Sequence, residues 1–175
     1  DLTGVHYLRT KRNSDALKAA LAAGVQNVVV VGAGYIGLEV TSAARGYDNT
    51  VTVIEPQPAP LRAALGDELG GMFADLHREH GVDLRLNTGV TEFVGSGGAV
   101  TGVTTDGGDT VPADVVVVGV GAAPAVELAA DLPPSRPRGI EKVVGPQIPT
   151  VDEPQPIAVQ ARSGWRNVLA PSIER

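Results

Sequence analysis

The sequence predicts an α/β fold, a parallel sheet flanked by helices that also carries a three-stranded antiparallel meander. Three observations carry this expectation. Two valine runs, Val28–Val31 and Val115–Val118, lack the polar alternation of a half-solvated strand, as expected of strands buried on both faces. Segments with apolar residues at helical spacing alternate along the chain with such strands. Between them, Gly95-Ser-Gly-Gly98 and Asp106-Gly-Gly108 separate short β-prone pieces with the residues that hairpin turns need.

In chain order, Ser14 is expected to cap a helix over Asp15–Ala23, with Leu17 and Leu21 four apart and Gly24 as the stop. Gln26–Val31 is the first buried strand. A glycine-rich turn leads into a helix over Tyr35–Arg45, with Ile36, Val40 and Ala43 or Ala44 on one side. Thr50–Ile54 is the second strand, and Pro56, Pro58 and Pro60 stiffen the loop after it. Asp67–His80 is a helix with Leu69, Met72, Phe73 and Leu76 at helical spacing, ended by Gly81. Val82–Leu86 is the third strand. The meander follows over Thr88–Val94, Ala99–Thr105 and Asp109–Val111. Asp114–Val118 then returns to the buried sheet beside 26–31, and Pro124–Ala130 suits a short helix. Eight of the thirteen prolines fall between Pro133 and Pro171, so residues 131–175 read as an irregular, Pro-rich tail.

Composition narrows the function classes. A chain of 175 residues suits one domain better than two. Twenty acids against fourteen Lys and Arg leave a net charge of -6, which disfavours a nucleic-acid partner. The absence of cysteine removes disulfides, thiolate metal sites and Cys nucleophiles from this chain. No apolar run reaches the roughly 18 to 20 residues of a membrane span, so a cytoplasmic protein with no membrane partner is expected. The opening, Asp1-Leu-Thr-Gly-Val-His6, reads either as an interior piece of a longer chain or as a trimmed self-sufficient domain. His77 and His80 lie three apart on one predicted helix, but no third metal ligand has a compelling position, and no G-x-S-x-G elbow is present.

The strongest motif is Gly32-Ala-Gly34-Tyr-Ile-Gly37, which fits G-x-G-x-x-G. It follows a valine strand and opens a helix, and Glu55 ends the next strand 18 positions after Gly37. This is the pattern of a Rossmann-like dinucleotide site. Gly32 permits the tight turn, Gly34 lets backbone approach a diphosphate, and Gly37 lets helix and strand pack closely. The helix start offers unpaired N–H donors to the anion. The alternative is a purely structural strand-to-helix turn. Glu55 would accept hydrogen bonds from the adenosine ribose hydroxyls and repel a 2′-phosphate, which favours NAD(H) over NADP(H). The nearest Arg, Arg62, lies seven residues on and past three prolines. Gly119 and Gly121 close the last valine strand at the expected switch point of the sheet.

From Val5 to Glu127 the chain resembles the NADH-binding domain of FAD-dependent ferredoxin reductases. These serve aromatic-ring dioxygenases and cytochromes P450 and fall within the flavoprotein pyridine nucleotide-disulfide oxidoreductase superfamily. The blocks carrying the resemblance are Val5-His-Tyr-Leu-Arg-Thr10, Val28-Val-Val-Val-Gly-Ala-Gly-Tyr-Ile-Gly-Leu-Glu39, Leu76-His-Arg-Glu-His-Gly-Val82 and Ala113-Asp-Val-Val-Val-Val-Gly-Val-Gly121 with Pro124. The resemblance implies that Tyr35 and Ile36 meet the diphosphate through their N–H groups, with Tyr35 also able to lid the flavin. It implies that Glu39 reaches the nicotinamide, Glu55 holds the adenosine ribose and Arg62 lies over the adenosine side. Gly119, Val120 and Gly121 would present backbone to the nicotinamide ring. Each has a plainer alternative: packing for Tyr35, a solvated surface for Glu39 and Arg62, a tight strand exit for the glycines.

The implied organisation is an interdomain linker over 1–12, an NAD(H)-binding domain over 13–130 and the tail over 131–175. The tail is a divergent form of the family's return segment, the result of a frame error in the source sequence, or vector-derived, and the family's Gly-Asp flavin contact is not legible in it. The implied activity of the complete enzyme is that of an electron-transfer oxidoreductase. Hydride passes from NADH to FAD, then electrons pass to a ferredoxin-type iron–sulfur partner. Hydride transfer needs the two rings stacked near 3 to 3.5 Å. The protein's part is placement, so no catalytic acid or base is expected in this chain. With the FAD-binding half not legible here, the fragment alone is expected to bind NADH without turnover. The alternatives are the NADH domain of a related disulfide or peroxide reductase and a non-enzymatic NAD-binding module.

Overall fold

The computed structural model describes residues 2–121. Its core is a five-stranded, wholly parallel sheet in the order β1-β8-β2-β3-β4. These strands are β1 (Val5–Tyr7), β2 (Asn27–Val31), β3 (Thr50–Glu55), β4 (Asp83–Leu86) and β8 (Val115–Val118). The return of the second valine run beside the first is as expected: Val28 pairs Val115 and Val31 pairs Val118. A separate antiparallel sheet in the order β5-β6-β7 is the expected meander, with β5 (Val90–Ser96), β6 (Ala99–Thr105) and β7 (Thr110–Pro112).

Strand pleating explains why the valine runs are continuous. Successive side chains point to opposite faces, so a run covered on both sides must be apolar throughout. Val28 and Val30 of β2, with Val115 and Val117 of β8, pack with Leu17, Leu21, Leu38, Val40 and Ala44 of the helices. Val29, Val31 and Val116 face the other way, onto Val100, Val103 and Val111 of the meander. Three helices thus cover one face and the meander the other. Burying each such valine is worth about 1.5–3 kcal/mol.

Several elements differ from expectation. Helix α1 spans Lys11–Leu21 and starts before Ser14. Thr10 is the N-cap: its Oγ1 accepts from the N–H of Asn13, and the Asn13 side chain accepts from the Thr10 N–H. This reciprocal box satisfies two otherwise orphaned donors and outcompetes Ser14. Within the expected linker over 1–12, Val5–Tyr7 instead form the edge strand β1, paired with Val116–Val118. Helix α2 (Tyr35–Gly46) buries Val40 and Ala44, but Ile36 is exposed in the first turn.

Helix α3 spans Arg62–Glu79, earlier than expected, with a break at Gly66 (φ 78°, ψ -177°). Its residues Leu69, Met72, Phe73 and Leu76 are exposed, whereas Gly70 and Ala74 are buried. The small residues face inward because the helix runs close to the proline loop: a Cβ on Gly70 would lie 2.6 Å from the Pro60 oxygen. Asn49 is wholly buried and ties three elements. Its Nδ2 donates to the carbonyls of Leu21 and Ala44, and its Oδ1 accepts from the Gln26 N–H. The expected helix over Pro124–Ala130 and the tail over 131–175 lie outside the described residues.

Candidate functional site

The strand order changes direction at β2, with β3 on one side and β8 on the other. In parallel sheets the crevice beyond the carboxyl ends at such a point is where ligands bind. Gly32–Gly37, Glu55 and Gly119–Gly121 all lie at these carboxyl ends. The turn after β2 is pinned on both sides, because Gly32 donates its N–H to the Ile54 carbonyl (2.8 Å) and Gly119 donates to the Val31 carbonyl (2.8 Å).

Two glycines here are required by geometry. Gly32 has φ +98°, and a Cβ on it would sit 2.7 Å from the Gly119 oxygen. A Cβ on Gly37 would overlap the Gly32 carbonyl oxygen. Gly119 also packs against Gly37: a Cβ on it would be 3.5 Å from the Gly37 Cα. Gly34 is different, since a Cβ on it would meet nothing within 4 Å among the described residues and its φ of -79° suits any residue. Among the described residues the space over Gly34, at the start of α2, is open.

Among the described residues that helix start carries no side-chain cap, in contrast to the boxed start of α1. Its first N–H groups are therefore left to an external acceptor, and the helix dipole favours an anionic one. An open space over Gly34 and an uncapped helix start together fit a diphosphate. Tyr35 (60% exposed) and Ile36 (41%) stand at the rim, with Val120 and Gly121 also exposed. Glu39 is exposed one turn into α2, with no hydrogen-bond or ion-pair partner among the described residues.

Glu55 is half-buried and already serves the loop. Its Oε2 accepts from the Ala33 N–H at 2.7 Å and its Oε1 from the Gln57 N–H at 2.8 Å. The Ala33 carbonyl in turn accepts from the Leu61 N–H at 3.0 Å. An ionised carboxylate offers about four acceptor sites. Two backbone donors therefore fix its orientation and leave lone pairs on both oxygens for further hydroxyl donors.

Arg62 does not stand free over the site. Its Nε donates to Asp67 Oδ1 at 2.5 Å, its Nη2 to Asp67 Oδ2 at 3.4 Å and its Nη1 to Gln57 Oε1 at 3.4 Å. The pair is exposed, and each partner favours the charged form of the other, raising the guanidinium pKa and lowering that of the Asp67 carboxyl. The structure thus brings the glycine turn, Glu55 and Gly119 into contact, and among the described residues links the Arg62 side chain to them through Gln57. Ala33, Gln57 and Asp67 were not among the expected site residues, Asp67 being expected only as the start of a helix. The one available signal was Gly66 interrupting an otherwise helical pattern.

Elsewhere, His77 is half-buried and its pKa is lowered, first by burial and then by the charge of His80. Among the described residues no three acidic or histidine side chains are grouped to hold a metal. Among the same residues no helix is long and apolar enough to cross a membrane.

A family model described as pyridine nucleotide-disulphide oxidoreductase matches residues 1–145. Rhodocoxin reductase of Rhodococcus erythropolis is 47% identical over 130 residues, 74% of this chain and 30% of that protein. A ferredoxin–NAD(P)+ reductase of Sphingomonas sp is 44% identical over 126 residues, 72% of this chain and 30% of that protein. The crystal structure of the ferredoxin reductase for the CYP199A2 system of Rhodopseudomonas palustris superposes with a TM-score of 0.70 at 39% identity, covering 74% of this chain and 32% of that one. The chain thus spans about 30% of the length of the relatives it matches.

Proposed function

The chain belongs to the pyridine nucleotide-disulphide oxidoreductase family, and from that premise we propose that it is the NADH-binding domain of an FAD-dependent reductase. The complete enzyme passes hydride from NADH to FAD and electrons on to a ferredoxin-type iron–sulfur protein. Relatives named as ferredoxin and rhodocoxin reductases support the coarser part of this reading. The observation that carries the site is the pairing of an uncapped helix start over open space at Gly34 with a carboxylate held by two backbone donors at Glu55.

The residues of this chain act by placement. The N–H groups at Tyr35 and Ile36 hold the diphosphate, with the dipole of α2 behind them. Glu55 accepts the adenosine ribose hydroxyls. Because its carboxylate is already oriented, little ordering cost falls on the bound state. Gly119, Val120 and Gly121 carry the nicotinamide at the carboxyl end of β8, where Tyr35 and Glu39 border it. Bound NADH supplies the hydride, and FAD in the longer enzyme accepts it. The coenzyme domain in this reading begins at β1, whose Val5–Tyr7 pair with β8, and takes in the whole of α1.

Glu55 also sets the preference for NADH. A 2′-phosphate about 4 Å from its carboxylate would meet repulsion on the order of 4 kcal/mol at an intermediate dielectric. Titration of the chain with NADH and NADPH, followed by calorimetry or nicotinamide fluorescence, tests this. Saturable binding with NADH tighter by at least about tenfold is expected. Affinity for neither would remove the coenzyme site, and tighter NADPH would remove the role given to Glu55.

A further inference from the structure

The segment after β3 contains an ion pair whose geometry helical periodicity does not supply. Arg62 and Asp67 are five residues apart, and at 3.6 residues per turn such positions lie about 140° apart around a continuous helix. They meet because α3 breaks at Gly66, which takes Asp67 off the helical path that starts at Arg62. The fork is two-pronged, through Nε and Nη2, and Gln57 takes Nη1. Gln57 donates its own N–H to Glu55. Arg62 is therefore the cation linked to the ribose-facing carboxylate, and its charge is matched by Asp67 before any ligand arrives.

This matters for coenzyme choice. In dinucleotide sites an Arg beside the strand-end acid is what accommodates a 2′-phosphate, and a guanidinium does so with the same paired donors that it gives a carboxylate. We propose that Asp67 is a specificity-determining residue, which holds Arg62 in a fork at the adenosine side and so denies a 2′-phosphate its counter-charge. The proposal rests on the coenzyme site proposed above. NADPH then meets the Glu55 carboxylate with Arg62 already committed to Asp67. Freed from Asp67, Arg62 becomes a 2′-phosphate ligand.

Both partners are exposed, with side chains 44% and 67% accessible. An exposed ion pair commands only a modest equilibrium constant, about threefold to fivefold. The test is a double-mutant cycle on the full chain, with NADH and NADPH titrated into the wild type, Asp67→Asn, Arg62→Ala and the double variant. Asp67→Asn is expected to lower the ratio of the NADPH to the NADH dissociation constant by about threefold to fivefold. The gain should disappear when Arg62 is also absent and shrink as salt is added. An unchanged ratio in Asp67→Asn, or a gain that persists without Arg62, overturns the proposal while leaving the NADH site intact. If the wild type binds neither coenzyme, the site itself fails and this role for Asp67 falls with it.

Discussion

At the scale of single residues, Gly34 and Gly37 look alike in sequence and have separable roles. Gly37→Ala drives a methyl into the Gly32 carbonyl, so the backbone must move, at a cost of about 1–3 kcal/mol. Its melting temperature should fall. Gly34→Ala meets nothing among the described residues, so stability should stay within about 0.5 kcal/mol of the wild type, while NADH affinity drops because the methyl occupies the space the diphosphate needs. A Gly34→Ala variant that binds NADH normally would show that the diphosphate lies elsewhere. Glu55→Ala should cost NADH about 1.5–3 kcal/mol for each charge-assisted bond lost, read as a rise in its dissociation constant of at least tenfold. It should also loosen the turn, since the Ala33 and Gln57 N–H groups lose their acceptor. The glycine motif was legible because its demands fall on backbone, and only one residue type meets them. The hold of Glu55 on Ala33 was not, because it joins two loops 22 residues apart and leaves no local pattern.

At the scale of elements, legibility followed the length of the periodic signal. The valine strands and α2 stand within a residue or two of their expected bounds, since burial on both faces or on one face constrains every position. Strand β1 escaped notice because Val5–Tyr7 is three residues long, too short to show a period, and exists through its pairing with β8. The start of α1 was displaced because two residues, Thr10 and Ser14, could each cap it, and only the reciprocal side chain of Asn13 decides between them. The apolar stripe of α3 was legible as a helix and misleading about its inner face, which the close approach to Pro60 reserves for Gly70 and Ala74. This helix also carries a pH prediction. Burial and His80 lower the pKa of His77, so the folded state favours its neutral form. Its contribution is fully present above the unfolded value of about 6.5 and is lost as pH falls below that through the folded pKa. His6 on β1 is shifted in the same direction by burial. Chemical denaturation should show lower stability at pH 5.5 than at pH 7.5, and His77→Gln should flatten that slope. An identical slope in the variant would mean that the acid sensitivity arises elsewhere.

At the scale of the whole molecule, binding and turnover separate. A sheet that carries the glycine turn and Gly119–Gly121 at its carboxyl ends can bring a nicotinamide ring to a fixed place, but hydride transfer needs an acceptor ring stacked within about 3.5 Å of it. No side chain in this sequence can take that part, since none of the 20 amino acids accepts a hydride reversibly and the chain has no cysteine with which to form a redox disulfide. The chain corresponds to about 30% of the relatives it matches, so the flavin in this reading is held by sequence outside that overlap. The expected outcome is that the chain, freed of flavin, saturates with NADH yet leaves its nicotinamide absorbance unchanged in the presence of ferricyanide or a ferredoxin. Fusion to the flavin-binding part of a relative should restore reduction, and Gly34→Ala should then weaken it through KM more than through kcat, because the diphosphate contacts act equally on ground and transition states. Ferricyanide reduction by the flavin-free chain would show that it carries an electron acceptor of its own, and the division of labour proposed between coenzyme domain and flavin domain would be wrong.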